Sequence, residues 1–254
     1  MPRILICANS YPPQIGGLAT YSSQLAIHLG KLDFDVTVLA PKSPGFKAFD
    51  EDIRYKTMRY SSKFDLYQKC LVEIFRTDLV FIVQRGNYLT LAYFINKVLR
   101  KHYVVALHGH EVQSRKRNSI IKQMNNASGL VPGSKYAAEH FKSLGVNPSL
   151  ITVINHGTTP IFKKNLDVRS KYKLDGKQII LTAADIIQHG QDGLIVESPE
   201  SAKELAENIN ILFDPSLRKS MGQNGRALAE KFSIKKNTRE MLKTYQEIIA
   251  TQQE

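Results

Sequence analysis

Arg3-Ile4-Leu5-Ile6-Cys7-Ala8-Asn9-Ser10-Tyr11-Pro12-Pro13-Gln14-Ile15-Gly16-Gly17-Leu18 opens the chain, and Asp35-Val36-Thr37-Val38-Leu39-Ala40 follows. The first stretch passes from a short apolar run, through a turn bearing proline and glycine, into helical spacing at Leu18, Tyr21, Leu25 and Leu29. The second is short and β-branched, as buried strands are. Strand, helix and strand in this order make a βαβ unit. The alternation continues outward. Ile53–Tyr60 suits an edge strand, and Phe64–Phe75 suits a helix with Leu66, Tyr67, Cys70, Leu71, Ile74 and Phe75 on its apolar stripe. Leu79–Val83, Tyr103–Leu107, Gly129–Pro132 and Ile151–Ile154 read as strands. Leu89–Arg100, Ser119–Asn126 and Lys135–Leu144 read as helices between them. Such repetition predicts an α/β fold, a Rossmann-like parallel sheet with helices on both faces and right-handed crossovers. Ligands of these sheets bind beyond the carboxyl ends of the strands.

After Ile154 the pattern thins. Asn155–Asp175 has linker composition, and Lys177–Ala183 opens a new strand, with a short one at Leu194–Glu197. Ala202–Leu212, capped by Ser198 or Ser201, then Leu217–Phe232 and Lys235–Ile249 have helical spacing.

Composition narrows the function classes. With 254 residues, 43% hydrophobic and 23% charged, the chain suits a globular protein and excludes disorder and collagen-like repeats. No apolar run approaches the ~18–20 residues that span a bilayer, and the opening residues lack a signal peptide's features. Cys7 and Cys70 form no Cys-x-x-Cys, which suits buried thiols in a reducing compartment rather than a zinc site or disulfide scaffold. The expected location is cytoplasmic, with peripheral contact at the inner face of a membrane. The net charge is +12, and residues 1–164 hold all of it, with 22 basic against 10 acidic residues. That asymmetry suggests a basic face meeting an anionic partner. Nucleic acid is not that partner, because no helix-turn-helix, RNA-stacking motif or zinc finger is present.

Three motifs carry candidate chemistry. Gly16-Gly17 sits at a strand-to-helix turn, where absent Cβ atoms let backbone approach a ligand and helix N–H groups favour phosphate or sugar oxygens; a tight turn alone would also use it. Neither a Gly-x-Gly-x-x-Gly fingerprint nor a P-loop is present, and no Gly-x-Ser-x-Gly elbow supports a hydrolase. The strand Tyr103–Leu107 ends in His108-Gly109-His110-Glu111. There His108 can act as hydrogen-bond partner or acid/base group, or form part of a solvated turn. A metal site of His108, His110 and Glu111 lacks a completing cluster, so no metal is expected. Arg115-Lys116-Arg117, beside Ile120, Ile121 and Met124, suits an anionic membrane or head group, or a solvated face.

The constellation resembles group 1 (family 4) glycosyltransferases of the GT-B fold. The resemblance rests on the opening strand with Gly16-Gly17, on His108-Gly109-His110-Glu111, and on Val131-Pro132-Gly133-Ser134. It continues through Gly145-Val146, Ile151–Thr158, Phe162, His189-Gly190-Gln191-Asp192-Gly193-Leu194-Ile195-Val196, Met221–Arg226 and Phe232-Ser233. It implies transfer of a sugar from a nucleotide-sugar donor to a glycan or lipid-linked acceptor, usually with retention and without a metal. The nucleotide sugar is a co-substrate, and no other cofactor is implied. By the same resemblance, Gly16 and Gly17 contact donor phosphate or acceptor, and His108 sits beside the transferred sugar.

One departure qualifies it. The family's Gly-Arg-Leu segment, later Lys-Gly and Glu-x7-Glu are absent, and Ile180-Leu181-Thr182-Ala183 runs directly into Ala184-Asp185-Ile186-Ile187. The C-terminal domain has lost its middle, with the join near Thr182–Asp185. Residues 166–254 are also fewer than the about 100–150 a full doubly wound domain uses. The expected organisation is a Rossmann-like acceptor-side domain (1–165), a truncated second α/β domain derived from the donor-binding half (166–233), and a C-terminal helix (234–254) packing back on the first domain. The alternative function is a non-catalytic acceptor- or membrane-binding module, or a relic, completed by a homodimer or a separate donor-binding subunit.

Overall fold

The structure, a computed structural model, describes residues 1–84, 86–108, 117–157, 187–197 and 201–250. The chain divides into two compact units, Met1–Thr158 with Ile234–Glu254, and Thr159–Ser233. In chain order the first unit contains β1 (Arg3–Cys7), α1 (Gly17–Gly30), β2 (Asp35–Pro41), α2 (Phe46–Glu51), β3 (Lys56–Tyr60) and α3 (Lys63–Ile74). Then come β4 (Leu79–Ile82), α4 (Asn87–Leu99), β5 (His102–Leu107), α5 (Arg117–Met124), β6 (Gly129–Pro132) and α6 (Lys135–Ser143). The second unit contributes α7 (Ala202–Ile211) and α8 (Pro215–Lys231), and α9 (Ile234–Ala250) belongs to the first.

All six strands are parallel, in the order β3-β2-β1-β4-β5-β6. This is the Rossmann-like α/β sheet that the strand–helix alternation predicts. Ile4 lies opposite Val36 on one side and Leu79 on the other. Alternate residues of the central strands feed two cores. Ile4, Ile6, Phe81 and Val104 pack with Leu25 and Leu29 of α1 and Met241 and Tyr245 of α9. Leu5, Cys7, Val80, Val105 and Leu107 pack with residues of α3, α4, α5 and α6, including Cys70, Leu89, Met124 and Phe141. Burial on both faces explains why these strands are continuous apolar runs rather than alternating ones. Both cysteines are free and buried. The Cys7 thiol is pushed up by its hydrogen bond with Cys70 and by burial.

Several boundaries differ from the sequence expectation, each for a physical reason. In α3 only Leu66, Cys70 and Ile74 of the predicted stripe are buried; Tyr67, Leu71 and Phe75 are exposed, because the helix carries apolar residues on two faces. Helix α2 forms without a strong apolar period, started by Gly45 at φ 78. Ile151–Ile154 makes one bridge to Leu130 rather than a full strand. Thr152 N–H donates to Leu130 O (2.9 Å) and Ile154 N–H to Pro132 O (3.1 Å). Leu194–Glu197 is not a strand, since its backbone is bound by side chains. Ile195 N–H donates to His189 Nδ1 (3.0 Å), Asn208 donates to Ile195 O (3.1 Å), and Glu197 N–H donates to Glu204 (2.8 Å). Helix α8 starts at Pro215, two residues before the predicted start, because the Asp214 carboxylate accepts from the Ser216 and Leu217 N–H groups. Of the two predicted caps on α7, Ser201 accepts from Glu204 N–H (3.2 Å). Ser198, Lys177–Ala183 and the join near Thr182–Asp185 lie outside the described residues.

Helix α9 is fastened at its start. A Cβ on Gly157 would come within 2.5 Å of the Ile234 Cα and 2.7 Å of the Asn237 Cβ, and Asn237 Nδ2 donates to Asn155 O (2.7 Å). Two backbones touch there, so no rotamer can relieve a clash. Gly157→Ala is therefore expected to destabilise the first unit by about 1–3 kcal/mol, the usual cost of overpacking. Denaturant midpoints would show it, and an unchanged midpoint would mean that the contact yields freely.

Candidate functional site

The strand order places a topological switch between β1 and β4, whose connections leave toward opposite ends of the sheet. Crevices at such points hold ligands in open α/β sheets. The loops after the two strands are joined there: Ser10 N–H donates to Gln84 Oε1 (2.9 Å). Gly86, at φ 134, lies so close that a Cβ would sit 3.2 Å from Asn9 Nδ2. A side chain at residue 86 would thus meet both backbone strain and the neighbouring loop.

Helices α1 and α4 begin at this point. Gly16 caps α1 and Gly86 caps α4, and neither start has a side-chain cap. By contrast Ser62 caps α3 and Ser134 caps α6 through their hydroxyls. First-turn N–H groups without an internal acceptor, at the positive end of a helix dipole, suit anionic oxygens. Among the described residues, apart from chain neighbours and the helix's own backbone, no atom lies within 4 Å of where a Cβ on Gly16 or Gly17 would stand. The glycine pair thus borders open space.

The loop carrying these glycines is held by a residue that the motifs did not single out. Arg59 of β3 is buried, and its guanidinium grips Asp50 at 3.0 and 2.7 Å. It also donates to Pro12 O (2.6 Å) and Pro41 O (3.2 Å), tying the loop after β1 to the end of β2. Its face lies 4.9 Å from the Tyr11 ring centroid, and the Tyr11 and Tyr55 hydroxyls are hydrogen-bonded to each other. Nothing local in Lys56–Tyr60 marks this residue, since its partners come from three other segments.

His108 leaves β5 two strands away from β1 in the sheet. Its Nε2 lies 2.7 Å from Val83 O and its Nδ1 3.0 Å from His156 Nε2. A carbonyl can only accept, so Nε2 of His108 carries a proton, and in a neutral ring its Nδ1 then accepts from His156. The rings stack at 4.8 Å. His156 then presents an unprotonated Nδ1, which is buried and has no hydrogen-bond partner among the described residues. Burial, then the neighbouring His108, push its pKa down to about 4. Tyr21 of α1 packs edge-on against His156 at 5.0 Å, and a Cβ on Gly133 would stand 2.2 Å from His156 Nε2. The glycine of Val131-Pro132-Gly133-Ser134 is thus the space into which His156 fits. His156 follows the predicted strand Ile151–Ile154 as His108 follows β5. Two histidines, each directly following an expected strand, were the available signal for this pair.

The remaining candidates divide. His110, Glu111, Arg115 and Lys116 lie outside the described residues, as does the Arg117 side chain, although Arg117 opens α5. Among the described residues no group of three or more His, Cys, Asp or Glu could hold a metal ion. None of their helices is long and apolar enough to cross a membrane. In the second unit, His189-Gly190-Gln191-Asp192-Gly193 forms a tight loop. Gly190, at φ 78, donates to Gly193 O (2.8 Å), the Asp192 carboxylate accepts from Gln188 N–H (2.7 Å), and Asn224 of α8 donates to Gln191 O (2.8 Å).

Comparison with known proteins agrees with this fold. The chain is 24% identical over 220 residues to a GDP-mannose-dependent alpha-(1-6)-phosphatidylinositol monomannoside mannosyltransferase of Mycobacterium tuberculosis. That match covers 78% of this chain and 57% of the relative, so the chain spans little more than half the length of the curated relatives it matches. Anabaena HepE in complex with UDP-glucose superposes with a TM-score of 0.74 at 13% identity, covering 96% of this chain and 99% of that one. Sucrose-phosphate synthase from Thermosynechococcus elongatus gives a TM-score of 0.67 at 15% identity, covering 99% and 100%. At such identities the likeness speaks to the fold alone. The Glycosyltransferase Family 4 model matches residues 15–160, more than half of the sequence, from just before α1 through β6, and the chain belongs to that family.

Proposed function

We propose that this chain takes part in transferring a sugar from a nucleotide-sugar donor to a glycan or lipid-linked acceptor, its first unit forming the acceptor side. The observation that carries this reading is the switch point itself. There Gly16 and Gly17 border open space at an α1 start without a side-chain cap, beside the similar start of α4. A departing nucleoside diphosphate carries two to three negative charges, and preorganised N–H donors at helix starts stabilise charge of that kind. Gly16 and Gly17 contact donor phosphate or acceptor in this reading, and His108 lines the place of the sugar. Because both His108 ring nitrogens are hydrogen-bonded, it orients a substrate without exchanging a proton unless one of those bonds breaks. Arg115, Lys116 and Arg117 supply positive charge to an anionic acceptor or membrane.

The mycobacterial relative uses GDP-mannose and a phosphatidylinositol mannoside, by its name, and the Anabaena structure holds UDP-glucose. These supply the first donors to try. Calorimetric titration with UDP-, GDP- and ADP-sugars, without added metal, is expected to show saturable binding of at least one. Gly17→Val is expected to weaken that binding at least about tenfold, or 1.4 kcal/mol, while leaving the unfolding midpoint in place, since its side chain enters open space. No heat with any donor from the folded protein would sink donor binding. It would favour the non-catalytic acceptor- or membrane-binding module, which the missing Arg, Lys and Glu-x7-Glu segments of the sequence also favour.

A further inference from the structure

His108 is tied at both edges of its ring. Nε2 meets Val83 O at 2.7 Å, and Nδ1 meets His156 Nε2 at 3.0 Å. The far end of the second bond fixes its direction. Were a neutral His156 to accept there, its one ring proton would sit on Nδ1, which is buried with no partner among the described residues. A buried donor without an acceptor is disfavoured, so His156 donates through Nε2 and His108 accepts through Nδ1. The bond made by one ring nitrogen of a histidine decides which nitrogen carries the proton. His156 and Val83 O therefore assign the same tautomer to His108, one from each edge of the ring.

His156 can hold another ring because it is itself held. On one side of it, Ile154 N–H donates to Pro132 O (3.1 Å), and Asn155 O accepts from Asn237 of α9 (2.7 Å). On the other, the Gly157 backbone is pressed against the start of α9, where a Cβ would come within 2.5 Å of Ile234 Cα. Between these points the His156 ring fills the space left by Gly133, and Tyr21 of α1 packs edge-on against it at 5.0 Å. The bonds also continue away from His156. Gly133 N–H donates to Leu107 O (3.3 Å), and Val83 N–H donates to Cys7 O (3.0 Å). A row of bonds thus crosses the carboxyl ends of the neighbouring strands β6, β5, β4 and β1, with the histidine pair within it.

We propose that His156 is a positioning residue for His108, fixing the plane and the tautomer of that ring at the strand ends. Its action runs through His108. The inference rests on the reading that His108 lines the place of the sugar. It adds that α9, through Asn155 and Gly157, sets where the His108 ring stands. A group in a binding site must be held within about 0.5 Å of its working place by partners that are themselves locked. Without the His156 bond, Val83 O alone would hold the ring at one edge, and the ring could turn about that contact.

The test joins magnetic resonance of the imidazole nitrogens, on the full chain isotope-labelled at nitrogen, to donor titration. In the unmodified chain His108 is expected to be a single tautomer protonated on Nε2, with a coupling across the hydrogen bond between its Nδ1 and His156 Nε2. A folded chain with the His108 proton on Nδ1, or without that coupling, would overturn the proposal. His156→Leu removes the donor. It is expected to abolish the single tautomer and to weaken binding of UDP-glucose or GDP-mannose, whichever the unmodified chain takes up, at least about tenfold. His156→Gln supplies an N–H donor again and is expected to restore the tautomer and to bind within about threefold of the unmodified chain. A residue that merely packs would be replaced better by leucine than by glutamine. A folded leucine variant with the tautomer and donor binding of the unmodified chain would therefore overturn the proposal, as would a glutamine variant as impaired as the leucine one. Should His156→Leu fail to fold, the coupling in the unmodified chain and the glutamine variant decide. If neither sugar nucleotide binds the unmodified chain, the proposed function fails separately, and the tautomer and coupling still decide the role of His156.

Discussion

Replacing Arg59 by methionine is expected to lower the stability of the first unit by about 3–5 kcal/mol, the cost of breaking a buried ion pair from one side. The side chains of Arg59 and Asp50 are 4% and 18% exposed, so water screens their pairing little. The substitution would strand the Asp50 carboxylate and leave the Pro12 and Pro41 carbonyls without their donor. Lysine is not a substitute, because its single ammonium cannot reach a carboxylate and two carbonyls in a planar fork. Arg59→Lys is accordingly expected to recover less than half of the loss. Urea midpoints of the three proteins decide the matter, and an Arg59→Met midpoint close to that of the unmodified chain would remove the clamp from the account. The effect extends to function. The held loop leads to Gly16, so Arg59→Lys is also expected to weaken donor binding while the protein remains folded.

The second large effect concerns acid. His156 has a native pKa near 4, against about 6.5 in an unfolded chain. Between those values the unfolded chain takes up a proton that the native chain does not. Stability is therefore fully present above the unfolded value and falls as pH drops through the window. The slope approaches 1.4 kcal/mol per pH unit, and allowing for the partial exposure of His156 the total is about 2–3 kcal/mol. The structure supplies the cause. A proton on Nδ1 of His156 would be buried with no acceptor among the described residues, beside His108. His156→Gln keeps a donor for His108 and cannot titrate. Urea unfolding at neutral and mildly acid pH is expected to show a smaller pH dependence in that variant. An equal dependence in both proteins would assign the acid sensitivity to other groups.

These two predictions rest on residues of different visibility in the sequence. His108 stood out as a candidate because it ends a short apolar strand, and strand ends border the ligand crevice of such sheets. Gly16 and Gly17 stood out as candidates because a strand-to-helix turn without Cβ atoms is a local event. The six strands of the sheet were likewise legible, since burial on both faces demands short β-branched runs that stand apart from helical spacing. Arg59 was not legible: its worth comes from Asp50, Pro12, Pro41 and Tyr11, and a single strand arginine carries no trace of them. Helix α3 shows a third case. Its apolar period was visible, but one string of apolar residues contained two faces, and only packing against the sheet separated Leu66, Cys70 and Ile74 from Phe64, Leu71 and Phe75.

By itself, then, the sequence determined the α/β alternation, the glycine turn at the start of α1, the excess of positive charge in the first two thirds, and the likeness to family 4 glycosyltransferases. Each depends on residues close together in the chain or on composition, where local sterics and burial leave a direct imprint. Only the tertiary structure decided that His108 meets His156, 48 positions on, that Asn237 reaches Asn155 across 82, and that Arg59 fastens the loop leading to Gly16. Those contacts form because sheet order and crossovers bring distant strand ends to one edge. Their energy belongs to the pair and its burial, which no single position in the chain records.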